Sequence, residues 1–229
     1  MKTVSVIGYG QIGSAFVHGI DKLESWRLGR VLTRHKVSDL VGHTTDQAEF
    51  FAVHCDLFVD TAGPDALRVL GPDALAISPL WTVGAVALAD RKLRAQFDEI
   101  SNRSGHQVRL FACGLANMPV SPQRLRITMR GPEITEAWNG SLRYAIERWP
   151  NQLNTAVAAA LNGPGLDATE LIMEHSSPGI PHEIALEAEA GGITWQRTVR
   201  FDMSTGTPHP VAQMLLTELA RDSSAWQGV

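Results

Sequence analysis

The chain has 229 residues, 44% of them hydrophobic, and a net charge of −4. Its lysines and arginines are scattered, which excludes the basic stripe of a nucleic-acid binder. No stretch approaches the roughly 20 apolar residues that span a bilayer, so a soluble, cytoplasmic protein with no membrane partner is expected.

Two cysteines, Cys55 and Cys113, are too few for a disulfide framework or a zinc site, and no metal is expected. The length exceeds that of a usual single domain, which predicts one domain of roughly 110–130 residues and a smaller one.

Thr3–Ile7 reads as a buried strand and Ser14–Ile20 as a helix, with Gly8, Gly10 and Gly13 forming GxGxxG between them. Gly8 permits the tight turn, Gly10 lets backbone approach a pyrophosphate, and Gly13 lets helix pack on strand. The pyrophosphate then sits on free N–H groups at the helix start, contributed with Gln11 and Ile12. The plainer alternative is an ordinary glycine-rich turn.

Arg27–Arg34 reads as the second strand. An acidic residue at its tip would bond the ribose 2′-hydroxyl of NAD, whereas arginine accommodates the 2′-phosphate of NADP. The tip is Thr33-Arg34-His35-Lys36, with no carboxylate before Asp39. This charge favours NADP, with NAD possible if Arg34 and Lys36 form only a solvated turn.

A short helix over Thr45–Ala52 and a strand Leu57–Thr61 follow, the strand ending in Ala62-Gly63-Pro64. Asp60, near that strand's end, reads as structural. A helix Asp65–Leu70 and an apolar run Ala74–Ser78 come next. Val83–Asp90 leads into a helix through Ile100, and Gln107–Ala112 supplies another strand. This alternation predicts parallel strands in βαβ units. The loops Gly8–Gly13, Thr61–Pro64, Ser78–Trp81 and Cys113–Met118 then share the sheet's C-terminal edge, where a ligand binds.

Beyond Cys113 the pattern changes. Arg124–Arg130, His182–Ala190 and Ile193–Asp202 alternate like antiparallel strands, the last two joined by Gly191-Gly192 as a hairpin. Helical segments Ser141–Arg148 and Leu153–Leu161 and a strand near Glu170–His175 lie between, with Asn151 as the N-cap of the second helix. Pro208–Ser223 reads as a closing amphipathic helix. The expected fold class is α/β: a Rossmann-type parallel sheet domain, 1–113 plus 208–229, with a second, smaller α+β domain, 114–207.

The segments GYGQIG (8–13), VDTAGPDAL (59–67), VGAVALAD (83–90), ITMRGP (127–132), WPNQLNTAVAAAL (149–161) and PHEIALEAEAGG (181–192), with the closing helix, run through nearly the whole chain. In that order they resemble the L-aspartate dehydrogenases. The resemblance implies an NAD(P)-dependent oxidoreductase that interconverts an amino acid and its imino or oxo acid plus ammonia, acting on a small molecule as a homodimer.

It places the family's acid/base histidine at His182, the alternative being a strand-end histidine bonded to backbone. A histidine's ordinary pKa near 6.5 suits taking a proton from the substrate ammonium and activating water at the imine. The resemblance adds Ala62, Gly63 and Asn154 to the cofactor residues.

Substrate-binding candidates are Cys113, Gly114, Arg130 and His209. Arg130 can clamp a carboxylate or simply be a surface charge, and His209 can meet an anion or be a turn residue. The sequence departs from the family where Ile180 replaces an asparagine, His209 stands where a lysine is lost, Cys113-Gly114-Leu115 replaces Ser-Gly-Ala, and Arg130-Gly131-Pro132 replaces Lys-Pro-Pro. These changes leave two further readings open: a reductase of another imine or oxo compound in a more apolar pocket, and a non-catalytic NADP(H)-binding relative.

Overall fold

The computed structural model describes residues 1–115, 118, 121–202 and 208–222. The chain divides into two compact units, one of Met1–Leu110 with the segment from Val211 onward, the other Phe111–Pro210.

In the first unit β1 (Lys2–Ile7), α1 (Gln11–Ile20), β2 (Trp26–Leu32), β3 (His43–Thr44), α2 (Gln47–Phe51), β4 (Leu57–Asp60), α3 (Pro64–Ile77), β5 (Leu80–Thr82), α4 (Arg91–Ser104) and β6 (Val108–Leu110) alternate along the chain. The six strands form one sheet in the order β3-β2-β1-β4-β5-β6, every neighbouring pair parallel. The order reverses between β1 and β4, which opens a crevice at their C-terminal ends. Both strands are apolar runs, as burial on two faces requires: Val4, Val6, Phe58 and Val59 are fully buried.

The first unit corrects three sequence expectations. Ala74–Ser78 belongs to α3, which runs through Gly71-Pro72 to Ile77 instead of stopping at Leu70. Gly71 lacks the Cβ that would clash with Pro72 in a helix, and it also lets α4 pack close, since a Cβ on it would lie 2.6 Å from Phe97 Cζ. The strand that follows is therefore Leu80–Thr82, and its loop is Val83-Gly84 in place of Ser78–Trp81. Val83–Asp90 first makes a 3-10 turn over Ala85–Ala89, and Asp90 then caps α4 by accepting from Lys92 N at 2.7 Å.

The closing helix α7 (Pro210–Asp222) packs on this unit. Trp26 Nε1 donates to Leu219 O at 2.9 Å, and Arg109 and Lys2 pair with Glu218 and Asp222. Gly19 in α1 leaves room for Leu216, since a Cβ there would lie 2.1 Å from Leu216 Cδ1.

The second unit contains β7 (Arg124–Gly131), β8 (Trp138–Ser141), α5 (Leu142–Arg148), α6 (Asn154–Leu161), β9 (Thr169–His175), β10 (His182–Ala190) and β11 (Ile193–Phe201). The hairpin turns through Gly191 and Gly192, both at positive φ. The sheet order is β11-β10-β7-β9-β8, and it is mixed where a purely antiparallel sheet was expected. β7 and β9 run parallel from Leu125/Thr169 to Gly131/His175. The β8-α5-α6 crossover returns the chain to the same edge, which short connections cannot do. α6 begins after Leu153 with no side-chain cap, so Asn151 is a turn residue and not the expected N-cap.

Leu215 of α7 is fully buried. Leu215→Ala is expected to destabilise the first unit by about 2–5 kcal/mol, the cost of a buried leucine and its cavity, as measured by urea unfolding followed by circular dichroism.

Candidate active site

At the β1/β4 crevice, backbone meets backbone with no room for side chains. Gly8 has φ +97°, its N–H donates to Leu32 O at 2.8 Å, and a Cβ on it would lie 2.8 Å from Ala62 Cβ. Gly13 is tighter: its Cβ would stand 2.4 Å from Gly8 O and 2.6 Å from Thr61 Oγ1. Thr61 Oγ1 lies 3.1 Å from Ile7 O and 3.2 Å from Gly8 O, tying the loop after β4 to the loop after β1.

Gly10 is the opposite case, with nothing within 4 Å of where its Cβ would stand. It is the N-cap of α1, whose first turn has no capping side chain and no acidic residue. Gln11 is exposed and Ile12 half-buried beside it. This is an electropositive backbone end open to an anion.

Asp60 holds the neighbouring loops. Its Oδ1 accepts from Ala62 N at 2.9 Å and its Oδ2 from Thr82 Oγ1 at 2.7 Å, while Thr82 Oγ1 accepts from Gly84 N at 2.8 Å. Gly63 (φ +94°) caps α3 ahead of Pro64, and Gly84 fits against it, since a Cβ on Gly84 would lie 2.7 Å from Gly63 C. Asp60 is 1% exposed, and burial pushes its carboxyl up to about 6 despite hydrogen bonds that favour the anion.

The β2 tip differs in detail from the sequence expectation. Thr33 Oγ1 donates to His35 O at 2.6 Å and lies 2.7 Å from His43 Nε2, so its single proton serves the turn. Arg34, His35 and Lys36 are exposed around it. Thr33 shapes the loop, and Arg34 presents the charge.

In the second unit, His182 heads β10 with its side chain 24% exposed, its Nδ1 lying 2.9 Å from Glu133 Oε1. Nothing in the sequence marks Glu133, because one carboxylate in a turn has no spacing relation to a histidine far along the chain.

Arg130 is committed elsewhere. It pairs with Glu174 through Nε and with Glu183 through Nη1 at 3.0 Å, and Glu183 also accepts from Arg200 Nε at 2.8 Å. The Arg200 and Arg130 charges hold the Glu183 carboxyl below the usual range. The expected carboxylate clamp is thus already filled from its own sheet.

Cys113 is 4% exposed at φ +51°, its Sγ lying 3.5 Å from Thr155 Oγ1 beside Asn154 at the start of α6. Burial raises its thiol pKa. Gly114 follows at φ +77° and is exposed, whereas Leu115 is fully buried and presents no apolar wall. The structure therefore brings Cys113 and the start of α6 together. His209 is half-buried, and desolvation lowers its pKa. Residues 116, 117 and 207, within the expected loops Cys113–Met118 and Thr207–Val211, lie outside the described residues, as does 223 at the expected end of the closing helix. Among the described residues no group of three His, Cys, Asp or Glu side chains is placed to hold a metal, and no helix is long and apolar enough to cross a membrane.

The parallel sheet order and the glycine-walled crevice define a Rossmann-type fold. The family model "Aspartate dehydrogenase, C-terminal" matches residues 88–223, and the chain belongs to that family. An L-aspartate dehydrogenase of Ruegeria pomeroyi is 29% identical over 170 residues, covering 62% of each chain. One of Methanopyrus kandleri is 25% identical over 179 residues, covering 70% of this chain and 66% of the relative. The matches thus span less than two thirds of either relative's length. The crystal structure of aspartate dehydrogenase from Thermotoga maritima superposes with a TM-score of 0.80 at 18% identity, covering 100% of both chains, a likeness of fold.

Because the Asp60 carboxyl sits at about 6 in the folded chain against an ordinary 3.8, the fold favours its protonated form. Its contribution is full below pH ~4 and declines as pH rises through ~6. The stability advantage of the wild type over Asp60→Asn should shrink by about 3 kcal/mol between pH 4 and 7, measured by denaturant unfolding at each pH.

Proposed function

We propose that this chain is an NADP-preferring amino-acid dehydrogenase that converts aspartate, or a closely related amino acid, with water to the oxo acid and ammonia. The observation that carries this reading is His182. In a member of this family, a part-exposed imidazole held at Nδ1 and with Nε2 turned to no described partner is equipped to exchange a proton.

The first unit fits a dinucleotide. Gly10 leaves space where a pyrophosphate needs it, the uncapped α1 start supplies N–H donors, and Gly63 and Ala62 line the adjoining loop. Arg34 at the β2 tip suits a 2′-phosphate. A nicotinamide held there supplies the hydride acceptor. His182 takes the proton from the substrate ammonium as the α-carbon is oxidised. After releasing that proton to solvent, it removes a proton from the water that adds to the imine and passes it to the nitrogen of the resulting carbinolamine, which leaves as ammonia. Asn154, Cys113 and Gly114 are assigned to the same chemistry through the family pattern, and a homodimer in the cytoplasm belongs to the same reading.

A second reading has one observation in its favour. Ile180, two residues before His182, is 52% exposed, an apolar neighbour that suits a less polar imine or oxo substrate. A panel of aspartate, other amino acids, and oxo acids with ammonia separates the two.

His182→Ala should lower kcat for the best substrate by at least about 100-fold, the worth of a general acid/base, with NADPH affinity unchanged in a fluorescence titration. Retained turnover would remove the assignment. Arg34→Glu should weaken NADPH binding by about 10- to 100-fold, the loss of a charge-assisted contact, and leave NADH binding within about twofold. An NADH preference in the wild type would reverse the cofactor assignment.

A further inference from the structure

The chain leaves β7 through a tight turn, Gly131-Pro132-Glu133-Ile134. Pro132 presets the φ of the second position, and Ile134 N donates to Gly131 O at 3.2 Å, closing the turn. Ile134 is 3% exposed and anchors the turn in the unit's core. β9 holds it from the other side, where Ser176 N donates to Gly131 O at 3.2 Å and His175 Nδ1 lies 3.0 Å from Ile134 O. The third position of the turn, Glu133, is thereby presented at one place, and there its Oε1 meets His182 Nδ1 at 2.9 Å.

Gly131 makes the room. A Cβ at that position would lie 2.3 Å from Glu133 Oε1, 2.5 Å from Oε2 and 2.6 Å from Cδ, so the carboxylate occupies the space a side chain would fill. Gly131 also lies beside His182 across the sheet, because Glu183 is in register with Arg130. The missing Cβ, the anchored turn and the imidazole thus converge on one carboxylate.

We propose that Glu133 is the positioning residue of His182, holding the proton on Nδ1 and leaving Nε2 as the nitrogen that exchanges a proton with substrate. This rests on the reading of His182 given under Proposed function. Glu133 is 52% exposed, and an ion pair so placed adds little stability, so its effect lies in the ring's orientation and tautomer. An imidazole carries one proton when neutral, and whichever nitrogen is held by an acceptor keeps it. A carboxylate at Nδ1 therefore makes Nε2 the basic position.

The test uses the full chain, 15N-labelled at histidine, with long-range 1H–15N correlation spectra in mildly alkaline buffer and the His182→Gln spectrum to assign the signals. The wild type should show the Nδ1–H tautomer. Glu133→Ala should shift it toward Nε2–H and lower kcat for aspartate oxidation with NADP by roughly 10- to 100-fold, leaving NADPH affinity unchanged. Glu133→Gln, which keeps an acceptor oxygen, should fall between the two. Gly131→Ala should reproduce Glu133→Ala with the carboxylate still in the chain, because the new Cβ meets only the mobile end of that side chain and swings it away. An unchanged tautomer in Glu133→Ala, or unchanged kcat there while His182→Ala is inactive, overturns the proposal. Full turnover in His182→Ala with the tautomer shift intact removes the catalytic reading of His182 and leaves the pairing standing.

Discussion

The C-terminal edge of the first unit's sheet depends on one constraint: the loops after β1 and β4 touch through bare backbone. Gly8 against Ala62, and Gly13 against Gly8 O and Thr61, leave distances no side chain can enter. Thr61 and Asp60 then fasten the loops by hydrogen bonds, and burial at that point raises the Asp60 carboxyl pKa. Because these loops are closed by packing, Gly10 can stay open and the start of α1 uncapped. An anion-binding end needs donors that nothing else satisfies, and rigid neighbours are what keep them that way.

The second unit uses a different device. Its mixed sheet puts β7 between β10 and the parallel β9, so the turn after β7 is gripped on both sides. The Arg130–Glu174 and Arg130–Glu183–Arg200 contacts run across neighbouring strands. Exposed pairs of this kind contribute modestly to stability, but they consume the arginine that would otherwise be a natural carboxylate ligand. His182 and Glu133 meet beside that ladder without joining it.

Fold and family together narrow the chemistry without selecting the substrate. Membership in the aspartate dehydrogenase family and a Rossmann-type fold give the class of the protein, yet function is set by side chains at the site. The exposed Ile180, the buried Leu115 and the committed Arg130 show how three departures from the family pattern come to different ends. One alters the surface beside His182, one is absorbed by the core, and one is neutralised by its neighbours.

The sequence by itself determined the βα alternation, the GxGxxG turn, the basic β2 tip, the hairpin at Gly191-Gly192 and the position of His182. These are local matters: periodicity, glycine's conformational range and short spacing are written in consecutive residues. It did not reveal that α3 continues through Pro72, that β7 and β9 run parallel, that Thr33 spends its hydroxyl on its own turn, or that Glu133 lies against His182. Apart from the Thr33 turn, which closes on His35 two residues on, each of those rests on contacts between segments distant in the chain, where packing and register decide the outcome. A carboxylate in a turn and a histidine at a strand's head become a pair only when the sheet sets Gly131 beside His182 and the carboxylate takes the space a Cβ on Gly131 would fill.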